Sequence, residues 1–247
     1  MPGIEKIVGG TVEKLYLKPR VEMEAGSVMS CIAGLGINGE KHANRLSPRQ
    51  VLVTLASDLL ALSLAPGVLY ENMVVSLASP VQFQPGAALV FEGGAEIRLT
   101  MFCEPCSLIA PLVGKLSDMI DRRGILGVVV HGGDIRSGDA FSLIPGRYRA
   151  LPDTVQQRFV DFLATIPRGR VVRYLDVTIA LGVDTSFIRA LPAYIKRAIG
   201  LPLPLHRIVN ARGELLTYVP GQAALLAAEG VAVQGNRVDL VRYGWHG

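Results

Sequence analysis

The feature that most limits what this chain can fold into is a change of hydrophobic period across Ile144-Pro145-Gly146-Arg147-Tyr148-Arg149-Ala150-Leu151-Pro152. Before that stretch apolar residues alternate with polar ones, as in half-buried strands; after it they recur every three to four residues, as in helices buried on one face. Leu89 and Phe91 precede Gly93-Gly94, and Ile97, Leu99 and Met101 then alternate with Arg98 and Thr100, which predicts a hairpin over 88–102. Gly127-Val128-Val129-Val130 and Ala140-Phe141-Ser142-Leu143-Ile144 read as further short strands. Between them Leu112, Leu116, Met119 and Ile120 keep helical spacing, and Arg122-Arg123-Gly124 closes that helix. Downstream, Pro152 opens a helix carrying Val155, Phe159, Phe162, Leu163 and Ile166, which Pro167 and Gly169 end. A second helix over about 174–181, a turn at Gly182 and a third helix capped near Asp184 to Ser186 make a helix-turn-helix pattern. The chain therefore reads as two domains, 1–146 mostly β and 151–247 α-rich.

Half of the 247 residues are apolar and 19% are charged, so a sizeable core can form and an ordered chain is expected. The longest charge-free run, Asn72 to Phe91, is broken by Pro80, Pro85 and Gly86 and does not read as a membrane span of about 20 apolar residues. The start Met-Pro-Gly-Ile-Glu-Lys lacks an apolar signal region, so a cytoplasmic protein with no membrane partner is expected. Three cysteines, Cys31, Cys103 and Cys106, do not make a disulfide framework, and reduced thiols are expected. Residues 151–247 hold 11 Lys and Arg against 7 Asp and Glu, while the rest of the chain holds 14 of each. The whole excess of +4 thus lies in the second half, as suits a phosphate-binding surface or an ordinary fluctuation.

The motif richest in chemistry is Pro204-Leu205-His206-Arg207-Ile208, flanked by Ile166-Pro167-Arg168-Gly169-Arg170-Val171-Val172-Arg173-Tyr174, Arg189-Ala190-Leu191, Tyr218-Val219-Pro220-Gly221 and Leu225-Leu226-Ala227-Ala228-Glu229-Gly230. In order and spacing these segments resemble the C-terminal domain of methylguanine-DNA methyltransferases. They resemble more closely the alkyltransferase-like proteins, which keep the DNA-binding fold without the nucleophilic cysteine. The resemblance implies that a cysteine would stand where Leu205 stands, ionised through His206 and Glu229; a leucine cannot accept an alkyl group, so no alkyltransferase activity is expected. It implies a lesion pocket formed by Leu205, His206, Tyr218, Gly221 and Glu229, with the 218–221 loop as its lid. It also implies DNA contacts from Tyr174, which turns the target phosphate, from Ser186, from Arg189, which inserts into the duplex in place of an extruded nucleotide, and from Arg207. Arg168, Arg170, Arg173, Lys196 and Arg197 are further candidates for phosphate contacts, about half of which read as solvated surface charge. Two departures stand out: Pro192 in the recognition helix, which removes a backbone donor and is expected to kink it, and Ala198-Ile199-Gly200 in place of an Asn-Pro segment.

In the first half, Gly36-Ile37-Asn38-Gly39-Glu40-Lys41-His42, Arg49-Gln50-Val51, Glu71-Asn72, Pro105-Cys106, Arg123-Gly124, Gly132-Gly133-Asp134 and Ser137-Gly138-Asp139 resemble a MOSC domain, the module found at the C-terminus of molybdenum cofactor sulfurases. The resemblance implies a barrel-like, mostly β domain that binds molybdenum cofactor. Cys106 would be its catalytic residue and molybdenum ligand, with His42, Arg49 and Asn72 completing the cofactor site. Glu40 departs from the usual aspartate, keeping the carboxylate on a longer arm. Cys103-Glu104-Pro105-Cys106 also has zinc-site spacing, but a structural zinc needs a second pair of ligands, and the plainer reading makes Cys103 a core residue.

Together these readings predict a mostly β, barrel-like MOSC domain followed by a small α-rich, winged helix-turn-helix-like domain. The expected function is a molybdenum-cofactor-binding protein fused to a non-transferring reader of alkylated guanine in double-stranded DNA, with excision-repair proteins or an electron donor as partners. Two alternatives stay open. One is a molybdenum-dependent oxidoreductase or sulfur carrier whose second domain only packs or dimerises. The other is an adaptor with neither half catalytic.

Overall fold

A computed structural model describes residues 7–20 and 22–247; the first six residues, read above as lacking a signal segment, lie outside them. The chain divides into two compact units between Leu151 and Pro152. The first unit runs past 146 because 147–151 is bonded to it. Tyr148 donates to Glu96 Oε1 at 2.6 Å, Arg98 donates to the Arg149 carbonyl at 2.6 Å, and the Leu151 N–H donates to Thr100 at 3.1 Å.

Seven strands make the barrel of the first unit: β1 (Val8–Leu17), β2 (Val51–Leu55), β3 (Met73–Leu77), β4 (Ala88–Phe91), β5 (Glu96–Phe102), β6 (Ile125–His131) and β7 (Ala140–Ile144); the short strands Val28–Ile32, Gly36–Ile37 and Gly133–Arg136 pair in a small separate sheet. The seven run β7-β4-β5-β6-β2-β3-β1, and β1 pairs back with β7 from Val8↔Leu143 to Thr11↔Ala140, so they close into a barrel, while Glu24–Gly26 pairs with the far end of β1. All neighbours are antiparallel except β2 and β3, whose parallel pairing requires a crossover, supplied by the segment containing α1 (Ala56–Ala61). Inward residues such as Leu15, Val53, Met73, Leu89, Ile97, Leu99, Ile125 and Leu143 fill the interior. The predicted hairpin and the strands around 127–130 and 140–144 are present. β2 gives no alternating signal because all five of its residues are buried: Leu52 packs outside the barrel with Cys103 and Leu126.

The helix expected over 112–124 does not form. Pro111 and Gly114 interrupt it, leaving two 3₁₀ turns, Ala110–Leu112 and Leu116–Met119. Arg123 is accordingly not a helix-terminal charge but a side chain only 4% exposed. Gly124 is required where it stands, because its φ is +106° and a Cβ would fall 2.4 Å from the Val53 carbonyl oxygen.

In the second unit α2 (Val155–Thr165) begins at Val155 and not at Pro152, because the Thr154 hydroxyl accepts the Gln157 N–H and caps it. α3 (Tyr174–Ala180) is followed by a 3₁₀ turn, Thr185–Arg189, and α4 (Leu191–Ala198). Asp184 is the cap of that turn, accepting the Ser186 N–H at 2.8 Å. The kink expected from Pro192 is absent: the proline falls in the first turn of a new helix, where its missing N–H would have had no partner anyway. A parallel pair of Val172–Arg173 with Ile208–Val209, the 3₁₀ turn Leu205–Arg207, α5 (Gln222–Ala228), a small hairpin of Val233–Gln234 with Arg237–Val238, and α6 (Leu240–Tyr243) complete the unit. Its core gathers Phe159, Leu163, Val177, Leu191, Ile195, Leu205 and Ile208. No helix among the described residues is long and apolar enough to cross a membrane.

Phe159 is fully buried in that core, and the single tryptophan, Trp245, stacks on Phe162 of the same helix. Phe159→Ala should therefore cost the second unit about 3–5 kcal/mol, read as an earlier transition in tryptophan fluorescence on urea denaturation.

Candidate functional site

In the second unit the strongest polar interaction is built on Glu229, at the end of α5. Its carboxylate accepts from Arg207 Nε at 3.1 and 3.0 Å, from Arg207 Nη2 at 2.6 Å and from the Gly169 N–H at 2.9 Å, and it pairs with His206 Nε2 at 2.9 Å. Burial alone would raise this carboxyl; the Arg207, Gly169 and His206 hydrogen bonds outweigh it and hold the group down at about 2. Arg207 also donates to the Ile166 carbonyl at 2.6 Å. One carboxylate thus ties three segments remote in sequence: the turn at Gly169, the 205–207 turn and the end of α5.

The expected cations differ in how far the fold engages them, and Arg168 and Arg170 stay exposed while each holds a carbonyl. Arg207, expected to meet DNA, spends its guanidinium on Glu229 and Ile166. Arg168 donates to the Ala228 carbonyl, Arg170 to the Arg242 carbonyl, and Arg173 grips Asp176 through two nitrogens. Arg189 ends the 185–189 turn with its side chain exposed, and Ser186 is exposed on the same turn. Lys196 and Arg197, on the exposed side of α4, lie over the rings of Tyr218 and Tyr194 at 5.1 and 5.4 Å.

Leu205 is 6% exposed and belongs to the core cluster that Tyr174 and Tyr218 flank. The hydroxyls of Tyr174 and Tyr218 are hydrogen-bonded to each other, and burial raises both phenols above their ordinary range. Gly221 takes φ +65° at the start of α5. Gln222, 4% exposed and not singled out in the sequence, fixes this loop: it accepts the Leu216 N–H at 2.6 Å and donates to the His206 and Ile208 carbonyls at 3.0 and 2.7 Å.

In the first unit Cys106 is the exposed cysteine, while Cys31 and Cys103 are buried. Burial raises all three. At Cys106 the backbone N–H of Leu108 and the Arg123 guanidinium, 3.2 Å from Sγ, more than compensate, so this thiol lies below its ordinary value. Cys31 is pushed up to about 12 by burial and by Asp134. Arg123 also donates to the Glu104 carbonyl at 2.6 Å, and its Nε is buried without a hydrogen-bond partner among the described residues. Arg49 is exposed and close enough to bear electrostatically on both Cys103 and His42. Crowding around the His42 ring lowers its imidazole, Glu40 raises it, and Lys41, Arg49 and Lys18 lower it further. Asn72 is a bracket inside the fold and not an open ligand: it accepts the Leu52 N–H at 2.9 Å and donates to the Tyr16 carbonyl and to Glu40 Oε2. Glu40 uses the longer arm noted above to reach inward, accepting the Lys18 N–H at 2.7 Å.

Residues 154–231 match the family of the 6-O-methylguanine DNA methyltransferase DNA-binding domain. The chain is 37% identical over 99 residues to the DNA base-flipping protein of Escherichia coli K12, across 38% of this chain and 76% of that protein. Through its second unit the chain belongs to this family. A DNA base-flipping protein of Shigella flexneri matches to the same extent. Among solved structures, S. pombe Atl1 in complex with damaged DNA containing O6-carboxymethylguanine is 24% identical over 38% of this chain and 96% of its own, with a TM-score of 0.35. The YuaD protein of Bacillus subtilis is 20% identical over 56% of this chain and 97% of its own, with a TM-score of 0.48.

Within this DNA-binding-domain family unit, Glu229 offers a test of the network. A carboxyl held below its unfolded value stabilises the fold above that unfolded value, roughly pH 4.3, and loses this contribution as the pH falls toward 2. Glu229→Gln should cost about 3 kcal/mol at pH 7. The gap between variant and wild type should close on acidification from about pH 5 to pH 2, followed by denaturation at each pH.

Proposed function

We propose that the second unit is a non-transferring reader of alkylated guanine, which extrudes the damaged nucleotide from double-stranded DNA. The observation that carries this reading is Leu205. An apolar side chain occupies the nucleophile's expected position beside an intact His206–Glu229–Arg207 network. With no thiol there, no alkyl group can be accepted, and what is left is a shape that can hold one by apolar contact. The base-flipping name of the Escherichia coli relative supports extrusion. Arg189 supplies the exposed cation for the vacated stack, and Lys196 and Arg197 supply phosphate contacts. Such a complex marks the damage for excision-repair proteins. The wild-type chain should bind a duplex with one O6-methylguanine more tightly than the unmodified duplex at every salt concentration, and Arg189→Ala should lower that affinity roughly tenfold. Equal binding to both duplexes, indifferent to the substitution, rejects the reading.

For the first unit we propose a MOSC barrel that takes molybdenum cofactor at Cys106. The donor set suits it: an exposed thiol held toward its thiolate form is a soft metal ligand. Arg49, Lys18 and Lys41 provide positive charge for the cofactor's phosphate, the His42 ring beside them can hydrogen-bond to it, and Arg123, with an unspent buried N–H, orients the sulfur. When bound, the cofactor supplies two-electron redox chemistry, for which an electron donor is needed. Metal analysis of protein loaded with the cofactor should find molybdenum in the wild type and little in Cys106→Ala; equal retention rejects Cys106 as the ligand.

A further inference from the structure

The loop that carries Tyr218 is held at both ends. Leu216 and Val219 are each 7% exposed, and Gln222 ties the Leu216 N–H to the carbonyls of His206 and Ile208. Between those anchors the half-buried Tyr218 side chain spans the space between two helices. Its hydroxyl meets the Tyr174 hydroxyl at the first residue of α3, and its ring face lies under the Lys196 ammonium of α4 at 5.1 Å. Burial keeps both phenols protonated at neutral pH. Two neutral phenols that share one hydrogen bond use one of their two protons, and the second O–H remains to donate elsewhere. A hydroxyl donor and an exposed ammonium on adjoining elements are what a single phosphodiester needs: one directed hydrogen bond and one screened charge.

Resting on the DNA-reader function proposed above, we infer that Tyr174, Tyr218 and Lys196 form a bracket for one backbone phosphate, in which Tyr218 is a positioning residue that holds the Tyr174 hydroxyl and seats the Lys196 cation. In the free protein Lys196 rests on the Tyr218 ring. On binding, the ammonium moves from the ring to the phosphate while the tyrosine pair supplies the hydrogen bond. Tyr218 then links phosphate capture on α4 to nucleotide rotation at α3. The role is specific to Tyr218, since Tyr194, which carries Arg197 in the same manner, packs edge-on against Phe187 and Phe159 and faces the core.

The test uses the full chain and a duplex with 2-aminopurine at the position to be extruded, whose fluorescence rises when the base leaves the stack. Tyr218→Phe, which keeps the ring under Lys196, should retain the wild-type melting temperature and salt dependence of binding but lower the fluorescence rise several-fold. Lys196→Met should reduce the slope of log affinity against log salt by about one unit. The double variant Tyr174→Phe/Tyr218→Phe should extrude no less than Tyr174→Phe alone, because both changes break one hydrogen-bonded pair. A wild-type chain that binds no duplex overturns the DNA-reader function and the bracket together. A wild-type chain that binds and extrudes normally while Tyr218→Phe behaves identically, or while the two tyrosine changes add independently, overturns the bracket alone.

Discussion

The second unit depends on one buried carboxylate. Glu229 collects the Arg207 guanidinium, His206 and the Gly169 N–H, and each of these belongs to a different segment of the chain. A buried charge of this kind is costly unless every lone pair is used, and here the partners are close enough to keep it ionised. Its effect is spatial. It fixes the 205–207 turn that puts Leu205 into the core, and it withdraws Arg207 from the surface. Arg189 on the 185–189 turn and Lys196 and Arg197 on α4 stay exposed and hold no part of this network. A DNA-binding face is defined as much by the arginines the fold consumes as by those it presents.

The first unit reaches a comparable result by closure. Pairing β1 with β7 closes the barrel and places a fully buried interior under short, glycine-marked turns. On that scaffold polar side chains act as fixed brackets: Gln50 spans from Gly34 and Asn44 to the Val129 N–H, and Asn72 spans from β2 to Glu40. Glu96, 3% exposed, holds Arg147 and Tyr148 and so binds the basic stretch after β7 to the barrel. The reactive feature is small: one exposed sulfur beside a buried arginine whose remaining N–H has no partner among the described residues.

Much of this was legible in the sequence wherever a local rule applied. The hairpin of β4 and β5 followed from alternation around Gly93-Gly94, and α2 and α3 from helical spacing. β2 was missed because burial on both faces erases alternation, and the helix expected over 112–124 failed because spacing was weighed above Pro111 and Gly114. Pro192 was read as a kink because the break at Ala190, which turns it into a first-turn proline, has no strong sequence mark. The site was legible by residue type and less so by role. Arg207, Arg168 and Arg170 look like phosphate contacts in a list of cations. Arg207 is taken up by Glu229 and Ile166, whereas Arg168 and Arg170 each give one bond to a carbonyl 60 and 72 positions away and stay exposed, and no local pattern reports that difference. Gln222 carried no signal in an otherwise ordinary segment, and Arg123, although part of the Arg123-Gly124 motif, was read as a helix-closing charge and not as the partner of Cys106.

By itself the sequence determined the change from alternating to helical texture, the leucine where a nucleophile is expected, the single cysteine of the Pro105-Cys106 motif and the surplus of positive charge in the second half. Period, residue chemistry and charge are properties of neighbours along the chain. The tertiary structure decided which charges are available and which are consumed, which thiol is open to solvent, and that Tyr218 stands between Tyr174 and Lys196. These depend on distances between segments that folding alone brings together, and on the loss of water that makes each pairing or its absence energetically decisive.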